Sequence, residues 1–453
     1  MSLTGLIFLA GFLVGCLLAL ARHPIFGLMT YVATFFLHPP SRWWGQGFLL
    51  PVRWSLIAAA VALLAVLIHR KKLAPAPPFR QSGIAIAFFI FIAWLGVQSF
   101  WALDPQAHSE LFSYYAKFAL ALFLFYRCID SEQHLRYFLW THVLGCFYFG
   151  LIAFTSYQGG RFEDFGGPGL AEANAGALTI VTGILAASAL FLGGTMREKV
   201  GLFGVLPFIV NALVTTISRS GFLAAGIGGI IFNLFTPKTF RKRVRILSAL
   251  AVVMFGILTG PMYWERMQSI QQLGNEVEGV DTGSGRLVIM KVQLRMFASY
   301  PAGCGATCTA VLSPLYLDDS HLTGEGTQRA RASHNTFLTM LVEHGLPGAV
   351  FYVFMAWWIA RSVRTVSRRV AGQSGFIACV LPAVAGILGA MFVSDMFATY
   401  AKFEVRIWFI AVLMAMLHLS AKEQQAQVET ERAPAKRDKP PLRRAARVRH
   451  SGS

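Results

Sequence analysis

The sequence predicts an all-α, polytopic membrane protein, and three observations carry that class. Of its 453 residues, 55% are hydrophobic and only 14% are charged. Apolar runs of roughly 16 to 20 residues, about the length that crosses a bilayer core, recur along the chain. The basic residues collect in short connections between those runs, which is the positive-inside pattern. A formal charge of +18 would suggest nucleic acid in a soluble protein. Held in loops and tail it describes topology instead, and no nucleic-acid partner is expected.

The elements follow in order. Thr4 to Ala21 is the first run, and with no A-x-A-like cleavage site after it the run is expected to be a retained span rather than a removed signal peptide. Pro24 to Leu37 is apolar but short for a crossing and follows the Arg22-His23-Pro24 break, so a half-helix or re-entrant piece is expected, which leaves the N-terminal side open. Runs near 54–69, 82–99, 111–126, 137–156, 176–193, 201–217, 221–236 and 246–264 come next, and 334–360, 376–394 and 407–420 complete a set of twelve spans. The basic connections at Arg70 to Arg80, Arg197 to Lys199, Lys238 to Arg245 and Arg361 to Arg369 then share one side with the tail. That side is cytoplasmic by the positive-inside rule, so residues 265–333 lie outside.

This divides the chain into N-terminal membrane helices (1–264), an external loop with an amphipathic helix (265–333), C-terminal membrane helices (334–420) and a basic cytoplasmic tail (421–453). Residues 432–449 carry eight Lys/Arg, one acidic residue and three prolines. They should be unstructured and enforce topology, with anionic lipid headgroups as their alternative partner. Neither a solenoid-period repeat nor a transporter-like pair of interrupted halves is visible.

The external loop is a polar island. Ser284 is a good N-cap, and Leu287, Met290, Leu294 and Phe297 repeat at helical spacing, so an amphipathic helix should start there and end before Pro301. Arg286 falls in its first turn, where a cation opposes the helix dipole unless an anion is bound. His334 follows a plausible cap, Ser333, and is expected to open the next membrane helix, where the dipole favours a neutral imidazole able to accept a proton. His344, ten residues on, lies about 15 Å deeper and reads as structural. Arg161, Arg219 and Arg266 also stand at outward span ends, against the positive-inside rule. Guanidinium forks match phosphate oxygens, and Arg219 with Arg286 reads as a phosphate site; taken singly, each of these arginines reads as a snorkelling headgroup contact. Asp395, after Ser394, is expected to pair with Lys402 or Arg406, or else to orient a sugar hydroxyl.

Six cysteines make no framework. Cys16, Cys146 and Cys379 sit in apolar spans, and Cys128 follows one. Cys304 and Cys308 share the outer loop, but a spacing of four on one turn gives poor disulfide geometry, and the pair is expected to stay reduced. No His/Cys cluster is visible, and Asp318-Asp319 reads as a solvated pair, so no metal site is expected.

Ser218-Arg219-Ser220-Gly221, Gly285-Arg286, Tyr300-Pro301-Ala302-Gly303-Cys304-Gly305, His334-Asn335-Thr336-Phe337-Leu338 and Glu343-His344-Gly345-Leu346-Pro347-Gly348 occur in that order. Together they closely resemble the O-antigen ligase superfamily, which includes lipopolysaccharide O-antigen ligases, O-antigen polymerases and bacterial protein O-oligosaccharyltransferases. The resemblance covers roughly residues 140–410, and Cys304 replaces the family's usual apolar residue. It implies a GT-C-like glycosyltransferase of the bacterial inner membrane with a periplasmic site. The donor it implies is an undecaprenyl pyrophosphate-linked glycan and the acceptor lipid A-core, with inversion at the anomeric carbon and neither metal nor cofactor. Arg219 and Arg286, with Arg266 and Arg161, would bind pyrophosphate, and His334 would be the general base, with Asn335 beside it at the substrate. A protein acceptor, a second lipid-linked glycan and, from another class, a lipid-linked glycan flippase remain open alternatives.

Overall fold

The computed structural model describes residues 2–259, 283–318, 322 and 330–432. Among these the chain forms fifteen α-helices and no strand. They are α1 (Leu3–Ala21), α2 (Ile25–Leu37), α3 (Trp54–Ile68), α4 (Gly83–Gln98), α5 (Pro105–Cys128), α6 (Glu132–Ser156), α7 (Ala173–Gly193), α8 (Met196–Thr215), α9 (Arg219–Phe235) and α10 (Arg241–Leu258), followed by α11 (Gly283–Ser299), α12 (Cys308–Tyr316), α13 (Thr336–Arg369), α14 (Phe376–Ser394) and α15 (Glu404–Arg432).

Each of the twelve expected spans has a helix over it. Seven of these helices are long and apolar enough to cross a membrane, and α3, α4 and α9 are shorter apolar helices. Their starts carry the side chains that orphan helix amides require. Ser2, Asp104, Ser131 and Ser218 accept backbone N–H groups at the heads of α1, α5, α6 and α9. Thr195 and Glu198 form a reciprocal capping box on α8. Helices that are apolar all round belong inside a bundle, and α7, α14 and α15 are accordingly enclosed while α1 and α8 turn most of their surface outward.

Helix ends sort into two faces. On the basic one, His69 Nε2 lies 2.9 Å from the Leu20 carbonyl, tying the end of α3 to the end of α1. On the other, Trp44, in the turns after α2, stacks on Phe8 near the start of α1 at 5.3 Å. Thus α2 runs back along α1 as one unbroken helix of thirteen residues, and its flanks are covered: Ile25, Leu28, Val32, Phe35 and Phe36 are all buried.

Two expectations are corrected. Cys304 and Cys308 form a disulfide with Cα atoms 5.8 Å apart. They do not share a helical turn, because Gly303, Gly305 and Thr307 all take positive φ and α12 begins only at Cys308. A His/carboxylate cluster also exists where none was visible. Asp130, between α5 and α6, lies 2.6 Å from His134 Nδ1 and 3.6 Å from His23 Nε2, and its Oδ2 accepts the Ala74 N–H at 2.9 Å. The three side chains could hold an ion. However, His23 Nδ1 accepts the Ile25 N–H at 3.1 Å, whereas a metal-bound imidazole donates from its second nitrogen. The group is therefore a hydrogen-bonded clamp, and it sits on the basic face.

Candidate functional site

The opposite face carries three connections of interest. The first is the turn between α8 and α9. Ile217 adopts φ 44°, Ser218 caps α9 by accepting the Gly221 N–H at 3.1 Å, and Arg219 is therefore the first helical residue. The dipole conflict argued for other residues applies to Arg219 directly. Asn174, in the first turn of α7, joins this turn to the second connection: its Oδ1 accepts from Ser218 Oγ at 2.7 Å and from Arg161 Nη2 at 3.0 Å. Arg161 also donates to the Thr216 carbonyl at 3.3 Å and pairs with Glu163 at 3.1 Å. The Asn174 carboxamide thus ties Arg161 to Ser218, the residue before Arg219.

Arg42 supports the Arg161 connection from beneath. It is buried, and its Nη2 donates to the Phe36 and Phe165 carbonyls at 3.1 and 2.8 Å.

The third connection carries the histidine. α13 begins at Thr336, not at His334: Asn335 is its cap and accepts the Leu338 N–H at 3.0 Å. His334 precedes the cap with φ 49°, a left-handed conformation that costs a non-glycine residue on the order of 1 kcal/mol. It persists because the residues after it are pinned. The Thr336 N–H donates to the Asp395 carbonyl at 2.7 Å, and Thr336 Oγ1 lies 2.8 Å from Asp395 Oδ1. Asp395 forms the expected ion pair with Arg406, at 2.5 Å, and its other oxygen accepts from Tyr352 at 2.7 Å. Asp395 therefore fixes the frame around His334.

Tyr400 adjoins the histidine turn. Its N–H donates to Thr336 Oγ1 at 2.9 Å. Burial above all, then Glu172 and Asp395, push its phenol pKa well up, while Arg406 and Arg161 act the other way.

The motif glycines build the wall next to the site. Gly303 and Gly345 both take positive φ, and a Cβ on Gly345 would lie 2.4 Å from the Ala302 carbonyl carbon. The Leu346 N–H donates to Pro301 O at 3.1 Å, and the Gly305 N–H to Glu343 O at 2.9 Å. Gln98 on α4 closes the contact by bridging Glu343 O, at 2.7 Å, and His344 Nδ1, at 2.9 Å. His344 is structural, as its depth suggested.

Arg286 lies in the first turn of α11, as expected. Its side chain, the whole of Arg266 and the tail beyond residue 432 lie outside the described residues. α11 has the expected length but not the expected face. Ile289, Val292 and Met296 are buried against the disulfide and Val342, while Met290 and Leu294 are exposed. The helix carries two apolar stripes, and its neighbours decide which is covered. Sequence reasoning missed Asn174, Arg42 and Tyr400, none of which belongs to a motif. The one available signal was the placement of Arg42 on an outward connection.

A multi-pass helical bundle with a polar, arginine- and histidine-bearing cluster at one end defines the class, a polytopic membrane protein. Residues 202–353 match the family model described as O-antigen ligase, and through this region the chain is similar to the O-antigen ligase superfamily. The match, about a third of the chain, takes in Arg219, Arg266, Arg286, His334 and Asn335 and leaves out Arg161 and Asp395. It supports a ligase- or polymerase-type function and lipid-linked glycan partners in general. Comparison with curated proteins gives no match.

Proposed function

We propose that this protein is an O-antigen ligase of the bacterial inner membrane. It would transfer a glycan from undecaprenyl pyrophosphate to lipid A-core at the periplasmic face, with inversion and without a metal. What supports this reading is that the Arg161–Asn174–Ser218 network and the Thr336–Asp395 contact next to His334 lie at the same end of the bundle, away from the basic connections. In the proposed step, His334 accepts the proton of an acceptor hydroxyl as its oxygen attacks the anomeric carbon. The bond from that carbon to the pyrophosphate oxygen breaks, and undecaprenyl pyrophosphate leaves. Negative charge accumulates on the leaving group, and preorganised guanidiniums of Arg219 and Arg286, with Arg161 and Arg266, would stabilise it in a low-dielectric site.

The test is transfer by the purified protein in nanodiscs with lipid-pyrophosphate glycan and lipid A-core, in the presence of EDTA. Glycosylated lipid A-core is expected. Transfer only to a Ser/Thr acceptor, or only between two lipid-linked glycans, would replace the acceptor half of the reading.

A further inference from the structure

We propose that the Tyr400 hydroxyl is a donor-site ligand, giving a hydrogen bond to an anionic oxygen of the lipid-linked pyrophosphate; the inference rests on the donor class proposed above. Tyr400 is only 7% exposed, and among the described residues its hydroxyl has no hydrogen-bond partner. Buried polar groups are nearly always satisfied, and one left unpaired is costly unless something arrives to pair with it. Its surroundings are not short of order: Thr336, Asp395, Tyr352 and Arg406 are bonded to one another, and the Tyr115 hydroxyl donates to the neighbouring Ala401 carbonyl at 3.1 Å.

The Tyr400 ring packs on Phe403 with centroids 5.5 Å apart, a role phenylalanine would fill equally well. The hydroxyl is thus the part of the side chain that packing does not explain. The Tyr400 backbone N–H meets Thr336, two residues after His334, which sets the side chain beside the turn where the proposed reaction takes place. A neutral phenol is suited to that place, since it donates most strongly to an anionic oxygen. Burial keeps it protonated.

The experiment compares full-length wild type with Tyr400→Phe in nanodiscs. It measures donor KM, kcat at saturating acceptor, inhibition by inorganic pyrophosphate, and the thermal midpoint. Removing an unpartnered hydroxyl should leave the midpoint unchanged or raise it. Loss of a hydrogen bond to an anion should lower kcat/KM for the donor by roughly ten- to a hundred-fold, mainly through KM, and weaken pyrophosphate inhibition in parallel. Kinetics matching wild type would overturn the assignment, as would a fall in midpoint that accompanies lost activity, because the hydroxyl would then be structural. If wild type itself neither binds nor turns over the lipid-pyrophosphate donor, the donor reading fails and takes this assignment with it. An active wild type with an indifferent Tyr400→Phe overturns the assignment alone.

Discussion

At the scale of residues, the proposed reaction assigns different tasks to groups that lie on one face. A general base contributes on the order of a hundred- to ten-thousand-fold in rate. His334→Ala should therefore bind the lipid-pyrophosphate donor with nearly normal affinity and lose transfer by that factor, which paired donor-affinity and single-turnover measurements will show. If donor binding collapses as well, His334 is a donor ligand. For the arginines the fork matters more than the charge. Arg219→Lys and Arg286→Lys should each lose on the order of tenfold or more in kcat/KM, and near-wild-type transfer by either would reduce that residue to a headgroup contact.

Among elements, the decisive contact is between the turn after α11 and the kink in α13. Gly345 holds φ +67°, and a Cβ there meets backbone at 2.4 Å. Gly345→Ala should cost about 2–4 kcal/mol through backbone strain and overpacking, seen as a lower thermal midpoint in detergent. At the basic face, the Asp130 clamp predicts a pH dependence. Burial alone would raise that carboxyl pKa, but hydrogen bonds from His134, His23 and the Ala74 amide hold it well below the ordinary range. A carboxylate pKa depressed by folding adds stability above the unfolded value, about 4. That stability is lost as pH falls from there toward the folded value. The acid limb of the melting profile should therefore flatten in Asp130→Asn, and an unchanged limb would remove the clamp from the stability account.

For the molecule as a whole, sidedness is what connects the fold to the proposed chemistry. Basic connections gather at one end of the bundle and the candidate site at the other, so the site should face the periplasm if the positive-inside rule holds. Thr323→Cys, in a background lacking Cys304 and Cys308, should react with a membrane-impermeant maleimide once the outer membrane is permeabilised. Labelling that requires inner-membrane lysis would reverse the orientation and end the periplasmic reading.

Class and helix positions were legible in the sequence because each is a one-dimensional signal. Apolar run length reports a bilayer crossing, charge between runs reports side, and cap residues mark helix starts within a few positions. The order of Ser218-Arg219-Ser220-Gly221, Gly285-Arg286 and His334-Asn335 likewise pointed to one family. What only the tertiary structure decided depends on through-space neighbours. These include which of two apolar stripes α11 buries, that Asn335 rather than Ser333 caps α13, that glycines unwind the chain enough to join Cys304 to Cys308, and that His23, Asp130 and His134 meet. Tyr400 is the clearest case: nothing local distinguishes it from any other aromatic near a membrane surface. The role proposed for it rests on a hydroxyl that is buried without a partner among the described residues, and burial is a property of the packed molecule.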